Sequence, residues 1–236
     1  MRGGEKHPGA LRDIQNIISE RGPNGRRARF VPPPPLYLRD SLDDLDTYMN
    51  QPPDMPVLIQ LALIHYQFET IHPFEDGNGR IGRLLVTLLL CKRQVLPYPL
   101  LYLSAYLERN RDQYMDCLLR VSQTGKWLDW VGFFLKGVEE QSADAVDRAV
   151  RLYEAGRRYH IQVQHARSSS LLTKMIDYIC SYVAVSIPNA AKVLDVSYKS
   201  AQHTLEKLVE QNILQEYPKE HKPKLFYAPE ILDILG

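Results

Sequence analysis

Apolar residues recur at intervals of three or four along most of the chain, and this spacing predicts helices. The first predicted helix begins at Asp40 or Ser41, either of which can serve as its N-cap, and it ends at the proline pair 52–53. Three more are predicted over residues 55–70, 79–93 and 101–121. In the helix predicted over residues 79–93, the predicted buried stripe consists of Ile81, Leu84, Leu85 and Leu88.

A longer helical pattern covers residues 127–165, which contain no proline. It predicts one long helix, straight or kinked, or else two helices. Its apolar positions have heptad-like spacing: Val131, Phe134, Leu135, Val138, Val146, Ala149, Val150 and Tyr153. The pattern turns polar and ends in serines, which predicts a boundary between a domain at 1–165 and a domain at 166–236.

The second predicted domain consists of three helices followed by two short strands, an order that resembles a winged helix-turn-helix. One helix of the turn would face outward with Ser197, Tyr198, Lys199, Ser200, Gln202 and His203. From Ser168 onward, seven lysines and no arginine stand against eight acids, and the lysine cluster is confined to Lys219, Lys222 and Lys224. A duplex binder usually carries clustered positive charge, so a protein contact or a homodimer is favoured over DNA for residues 166–236.

Residues 1–29 are rich in glycine and arginine, and they are predicted to form a loop with little core of its own. The four prolines at 32–35 exclude a helix or a central strand and favour an extended polyproline segment. The alternative is a ligand for a proline-binding module.

Composition narrows the class of protein. A chain of 236 residues with 44% hydrophobic residues can build one large domain, or one medium and one small domain. A net charge of +1 argues against strong overall attraction to nucleic acid or to a membrane. Three scattered cysteines, the lack of a signal peptide and the lack of a membrane-length apolar run predict a reduced, cytoplasmic protein.

The stretch HPFEDGNGRIGR at residues 72–83 carries the chemistry. Its glycines allow several backbone N–H groups to converge, and the N-terminus of the helix that follows is an anion site. Arg80 and Arg83 lie three apart and can reach one anion, Asp76 suits a phosphate-bridging Mg²⁺, and His72 suits a general base. Phe74 is predicted to lock this loop onto the core. The pattern matches neither a P-loop nor a kinase glycine loop.

This stretch resembles the motif of the Fic family, H-x-F-x-[D/E]-G-N-G-R-x-x-R, at every fixed position. Most relatives with the motif transfer AMP from ATP to a hydroxyl of a target protein. The resemblance implies a mainly α fold: a Fic-type helical core with a short β-hairpin flap, followed by a small C-terminal winged-helix domain. It implies that His72 deprotonates the target's Ser, Thr or Tyr hydroxyl and that Asp76 binds Mg²⁺. The ATP phosphates would be held by Gly77, Asn78, Gly79, Arg80 and Arg83.

Two further sites follow from the resemblance. The flap that docks the target by strand addition would include Arg29, Phe30 and Val31. The adenine pocket would include Tyr114, Met115, Leu118 and Ser122. His65 and Glu69 lie four residues apart on one predicted helix. This spacing suits a metal-binding pair or a structural hydrogen bond, and the hydrogen bond is favoured.

Relatives often carry helices before this region, so the chain resembles an N-terminally truncated member. The inhibitory motif [S/T]-x-x-x-E-[G/N] of many relatives is not present in the printed sequence. The resemblance therefore predicts ready self-modification and poor AMP removal. The competing hypotheses are a DNA-binding regulator that senses nucleotide through the loop, and a Fic enzyme that transfers another phosphate-containing group.

Overall fold

The structure is a computed structural model that describes residues 9–22, 25–52, 54–164, 169–218 and 223–236. It is mainly helical, as predicted. By their internal contacts the residues group into two compact units, Met1–Ala145 and Val146–Gly236.

The first unit begins with an antiparallel hairpin of β1 (Ile18–Gly22) and β2 (Gly25–Phe30). The sequence pattern predicted a loop here, so that prediction was wrong, whereas the β-hairpin implied by the family resemblance is present. A short 3₁₀ helix and six α-helices follow: Pro35–Tyr37, α1 (Leu38–Asn50), α2 (Val57–Ile71), α3 (Asn78–Lys92), α4 (Leu103–Arg109), α5 (Arg111–Thr124) and α6 (Trp127–Val163). The last of these begins in the first unit and ends in the second.

The core of the first unit forms where α2 packs against its neighbours. Leu61 and Ile64 of α2 are fully buried together with Trp130 and Phe134 of α6. The indole Nε1–H of Trp130 donates to the carbonyl oxygen of Ala62 at 2.9 Å, so its polar group is satisfied inside the core. This packing fixes α2, the helix that ends beside the candidate site.

Two predicted helix boundaries were wrong. The first helix begins at Leu38, after a 3₁₀ turn that starts within the proline run, and not at Asp40 or Ser41. The helix predicted over 101–121 is divided at Asn110. The side-chain Nδ2–H of Asn110 donates to the carbonyl oxygen of Tyr106 at 2.9 Å, which the backbone N–H of Asn110 also contacts at 3.0 Å. Local bonding of this kind by asparagine competes with helix continuation.

The predicted buried stripe of α3 was wrong at three of its four positions, whereas Leu85 is half-buried and packs against the core. Ile81, Leu84 and Leu88 are 38%, 55% and 52% exposed, whereas the opposite face is buried: Gly82, Val86, Thr87, Leu89 and Leu90. Gly82 lies on this buried face, and a Cβ at this position would lie 2.5 Å from Glu69 Oε1. The lack of a side chain at Gly82 therefore leaves room for Glu69 of α2.

The long helix predicted over 127–165 is confirmed as α6, but its middle does not form a core. Val146, Val150 and Tyr153 are each more than half exposed. The two units divide at Ala145/Val146, about twenty residues before the predicted boundary. The reason is that the end of α6 belongs to the second core, through Ala155, Tyr159 and Val163.

The described residues of the second unit form four further helices and three short strands: α7 (Ser169–Tyr182), β3 (Ala184–Ser186), α8 (Ile187–Leu194), α9 (Tyr198–Glu210), β4 (Gln215–Glu216), β5 (Leu225–Tyr227) and α10 (Pro229–Leu235). The sheet is antiparallel in the order β3-β5-β4. The Ser186 and Ser197 side chains accept from backbone N–H groups and so cap α8 and α9. The winged-helix assignment stays a prediction.

Four of the six residues predicted to face outward from the turn are exposed: Ser197, Tyr198, Lys199 and His203. Ser200 and Gln202 are half-buried. Of the lysines in the predicted wing, Lys224 forms an ion pair with Glu216 at 2.8 Å, whereas Lys219 and Lys222 lie outside the described residues. Over the described ranges, every helix is too short or too polar to cross a lipid bilayer.

Candidate active site

His72 stands at the turn between α2 and the loop that leads to α3. It is the C-cap of α2, with a left-handed backbone (φ 51°, ψ 59°), and its N–H donates to the carbonyl oxygen of Phe68. This conformation is uncommon for a residue with a side chain, and such outliers cluster at functional sites. The turn places a half-buried imidazole at the mouth of a cavity.

The imidazole of His72 is poised as a neutral base. Its Nδ1 lies 3.3 Å from the carbonyl oxygen of Glu69, so in the tautomer that donates from Nδ1, Nε2 carries the lone pair. Burial lowers the pKa of His72 below its ordinary value of 6.5; the hydrogen bond to Glu69 opposes this shift, and the charge of Arg12 adds to it. The imidazole is therefore mostly unprotonated at neutral pH.

Asn78 shapes the loop between His72 and α3. Its Oδ1 accepts from the N–H of Phe74 at 2.9 Å, and its Nδ2 donates to the carbonyl oxygen of Phe74 at 2.7 Å. The side chain is 2% exposed, so its amide group stabilises the loop and does not face the cavity. Phe74 packs on the core beside Phe68, as predicted. Gly77, with φ 90°, is the N-cap of α3.

The two arginines of the motif take different positions. The Arg83 guanidinium lies over Gly79, where an added Cβ would come within 2.9 Å of Nη1, and its Nε–H donates to Ser104 Oγ at 2.9 Å. Arg80 is exposed, and its guanidinium lies near Gly77. Arg83 is thus oriented by α4, a contact that the motif alone does not reveal.

A cavity of about 280 Å³ brings most of the predicted site residues together. From the motif it is lined by His72, Gly79 and Arg83, and from the hairpin by Arg29 and Phe30. All four residues predicted for the adenine pocket also line it: Tyr114, Met115, Leu118 and Ser122. The residues proposed for the general base, the phosphate contacts, the flap and the adenine pocket therefore line one cavity.

Five predicted residues do not line this cavity. Val31 is 55% exposed, immediately after β2. The other four lie on the loop or the first turn of α3: Asp76, Gly77, Asn78 and Arg80. Asp76 is exposed, and its Oδ1 accepts from the N–H of Gly77 at 2.7 Å. Of these four residues, Asp76 and Arg80 are exposed, whereas Asn78 is buried.

A buried polar cluster lies behind the cavity wall. His65 is fully buried and its Nε2 lies 3.0 Å from the hydroxyl of Tyr114, which agrees with a structural hydrogen bond for His65, made to Tyr114 and not to Glu69. Burial lowers the pKa of His65 to about 4. Glu69 lines the cavity and is 9% exposed, and burial raises its pKa to about 7 although the charge of Arg83 opposes the shift.

Sequence reasoning missed several lining residues. Thr70 and Glu69 lie within three residues of His72 on the last turn of α2, and helical spacing could have found Glu69 because it shares a face with His72. Others come from the hairpin and from α4 and α5: Ile18, Leu107, Glu108, Arg111 and Leu119. These depend on the tertiary fold and carry no local signal.

The residues present fit a magnesium ion that arrives with a nucleotide. Across the described residues there is no group of three or more His, Cys, Asp or Glu side chains that could hold a metal ion. Mg²⁺ commonly binds through one or two carboxylates together with substrate phosphates, and Asp76 offers a hard carboxylate oxygen beside the loop.

Comparison with known proteins shows what the chain is similar to. Residues 2–90 match the model of the Fic/DOC family. The chain is 32% identical over 91 residues to a probable protein adenylyltransferase of Aquifex aeolicus (strain VF5), covering 39% of this chain and 26% of that protein. It is also 32% identical over 126 residues to the protein adenylyltransferase Fic of Aedes aegypti, covering 52% of this chain and 22% of that protein.

A solved structure has a similar fold. A crystal structure of a Fic family protein from Desulfovibrio desulfuricans G20 is similar, with a TM-score of 0.54 and 21% identity, over 97% of this chain and 65% of that one. The chain spans about a quarter of the length of the two curated relatives described above.

Proposed function

We propose that this chain transfers AMP from ATP, with Mg²⁺, to a Ser, Thr or Tyr hydroxyl of a protein, its own chain included. The observation that carries the proposal is the cavity in which His72, Gly79 and Arg83 meet the hairpin and the apolar slot of α5. Its size and lining suit a nucleotide base with few polar contacts. The adenylyltransferase names of the curated relatives support the same reaction.

The chemistry is an in-line displacement at the α-phosphorus. His72 Nε2 accepts the proton of the target hydroxyl, whose oxygen bonds to the α-phosphorus while the bond to the bridging oxygen breaks and pyrophosphate leaves. The N–H groups at the start of α3 and the guanidinium of Arg83 stabilise the negative charge of the phosphates. Asp76 would hold Mg²⁺, which supplies charge neutralisation at the phosphates when bound.

The hairpin would position the target. The described part of this sheet has two strands, β1 and β2, so each strand has an outer edge to which an extended segment can add. Arg29 and Phe30 at the end of β2 line the same cavity as His72, which supports a role for that edge in presenting the target hydroxyl to the proposed base.

Intact-mass spectrometry tests the proposal. The purified chain would be incubated with ATP and Mg²⁺, alone and with a soluble-protein mixture. An added AMP mass on any protein supports the proposal. A phosphate mass, or no adduct while ATP binds, contradicts it and favours another transferred group or nucleotide sensing.

Ser104→Ala should weaken ATP binding without unfolding the protein. It removes the acceptor that orients Arg83, a single hydrogen bond to a charged group worth about 1.5–3 kcal/mol. A water molecule can replace the lost acceptor and recover much of this free energy. We therefore expect calorimetry to show a rise in the Kd for ATP of about 3–30-fold, with an unchanged melting temperature. Ser41→Ala, on α1, is the matched control; equal affinities for both variants would show that Ser104 does not orient Arg83.

A further inference from the structure

Arg12 is a buried cation in the segment before the hairpin, outside the Fic motif. It is 3% exposed, and over the described residues it has no ion pair with a carboxylate. Desolvation lowers the pKa of Arg12 below the ordinary value of an arginine. Burying a charge in this way is costly unless its donors are satisfied, so the contacts of Arg12 must compensate.

All of the side-chain contacts of Arg12 are made to main-chain carbonyl oxygens. Nε donates to His72 at 2.8 Å, and Nη2 donates to Ile71 at 3.3 Å. The backbone N–H of Arg12 donates to Pro73 at 2.9 Å. One residue therefore binds three successive carbonyls at the C-terminus of α2, where a positive charge also complements the helix dipole.

The remaining donors reach both ends of the hairpin. Nη1 donates to the carbonyl oxygen of Ile14, before β1, and Nη2 donates to that of Pro33, after β2. The distances are 3.1 and 2.5 Å. The same guanidinium thus joins the two segments that enter and leave the hairpin to the turn at His72.

We propose that Arg12 is a positioning residue for the transfer reaction. It holds His72 in its left-handed conformation and fixes the base of the hairpin relative to the imidazole. The inference rests on the proposed function, because it explains why the hairpin edge that docks the target must be aligned with the imidazole of His72. A guanidinium is suited to this task since its planar fork of five donors has fixed directions, whereas a lysine ammonium is a compact point charge on a flexible stem.

The test uses Arg12→Met, which removes all donors, and Arg12→Lys, which keeps the charge. We expect kcat for AMP transfer to fall about 10–100-fold in both, as misplacement of reacting groups by about 1 Å can cost about 100-fold. The Kd for ATP should change by less than about twofold, because Arg12 does not line the cavity. The exposed Arg39, substituted in Arg39→Met, is the control and should leave both constants unchanged.

A pH profile separates this role from general loss of structure. Arg12 lowers the pKa of His72 by charge repulsion, so the acid limb of kcat/KM should move to higher pH in Arg12→Met and stay in place in Arg12→Lys. The other charged groups around the cavity are the same in all variants: Arg29, Glu69, Arg83, Glu108 and Arg111. An unmoved limb in Arg12→Met, or a parallel loss of ATP affinity, would overturn the proposal.

Hydrogen–deuterium exchange provides a readout that needs no transfer activity. Arg12→Met should increase exchange at residues 14–33 and 71–73 and leave α5 unchanged. Unchanged exchange at both segments would reject the role of Arg12 even if the wild type transfers AMP. Faster exchange with an inactive wild type would reject the proposed function and retain the structural link. If Arg12→Met does not fold, Arg12→Lys decides by the same measurements.

Discussion

His72→Asn should lower the rate of AMP transfer by about 10²–10⁴-fold while ATP still binds. This range is the usual contribution of a positioned general base. Asparagine is chosen because it tolerates the left-handed backbone found at His72, so the turn is preserved while the base is lost. His72→Ala should lose the same activity, with an added backbone cost that makes it the less informative variant.

The measurements are intact-mass labelling rates with ATP and Mg²⁺, and calorimetric binding of ATP. His203→Ala is the control, since His203 is an exposed histidine on α9 in the other compact unit. In the wild type, kcat/KM should fall with acidification only below about pH 6.5, because burial lowers the pKa of His72. Full labelling by His72→Asn, or an acid limb above this pH, would contradict the assigned role.

The mainly helical fold class could be predicted from the sequence, and so could several residues that line the cavity. Residues 72–83 form a continuous motif whose chemistry depends on local spacing, so His72, Gly79 and Arg83 could be named from the sequence alone, whereas their roles stay predictions. The partners that orient them come from distant segments. Ser104 on α4 is 21 residues from Arg83, and Arg12 before β1 is 60 residues from His72. Nothing in the sequence around Ser104 or Arg12 indicates these contacts.

The errors in the predicted fold share one cause: the spacing of apolar residues does not show which contacts a helix makes in the folded protein. The helix α3 is apolar on several faces, so periodicity could not select the buried one; the face that is buried is the one on which Gly82 leaves room for Glu69 of α2. The break at Asn110 coincides with a side-chain hydrogen bond to Tyr106 within an otherwise helical pattern. The middle of α6 has core-like spacing at Val146, Val150 and Tyr153, but each is exposed in the described structure.

Glu69→Gln should stabilise the protein at pH 8 and have no such effect at pH 4. The carboxyl group is 9% exposed, and its Oε1 has no hydrogen-bond partner among the described residues. Burial raises its pKa from 4.5 to about 7, with the charge of Arg83 opposing the shift. The folded protein therefore keeps a proton over a pH range in which the unfolded chain releases it.

The sign follows from proton linkage. Below pH 4.5 both states are protonated, and the wild type retains the full contribution of Glu69 to stability. As pH rises from 4.5 to about 7 the unfolded state is favoured progressively, and the free energy of unfolding falls by about 3 kcal/mol in total. A neutral glutamine does not titrate, so the advantage of Glu69→Gln should grow over this window and then level off.

Urea unfolding of wild type and Glu69→Gln at several pH values between 4 and 8 measures the difference directly. Glu75→Gln is the matched control, because Glu75 is exposed on the loop after His72 and its substitution should change stability by less than about 0.5 kcal/mol at any pH. A difference between Glu69→Gln and wild type that stays constant across the range would mean that Glu69 is ionised in the folded protein. The carboxylate would then have to be stabilised by the nearby guanidinium of Arg83, which would tie that arginine to Glu69 and weaken its proposed contact with the ATP phosphates.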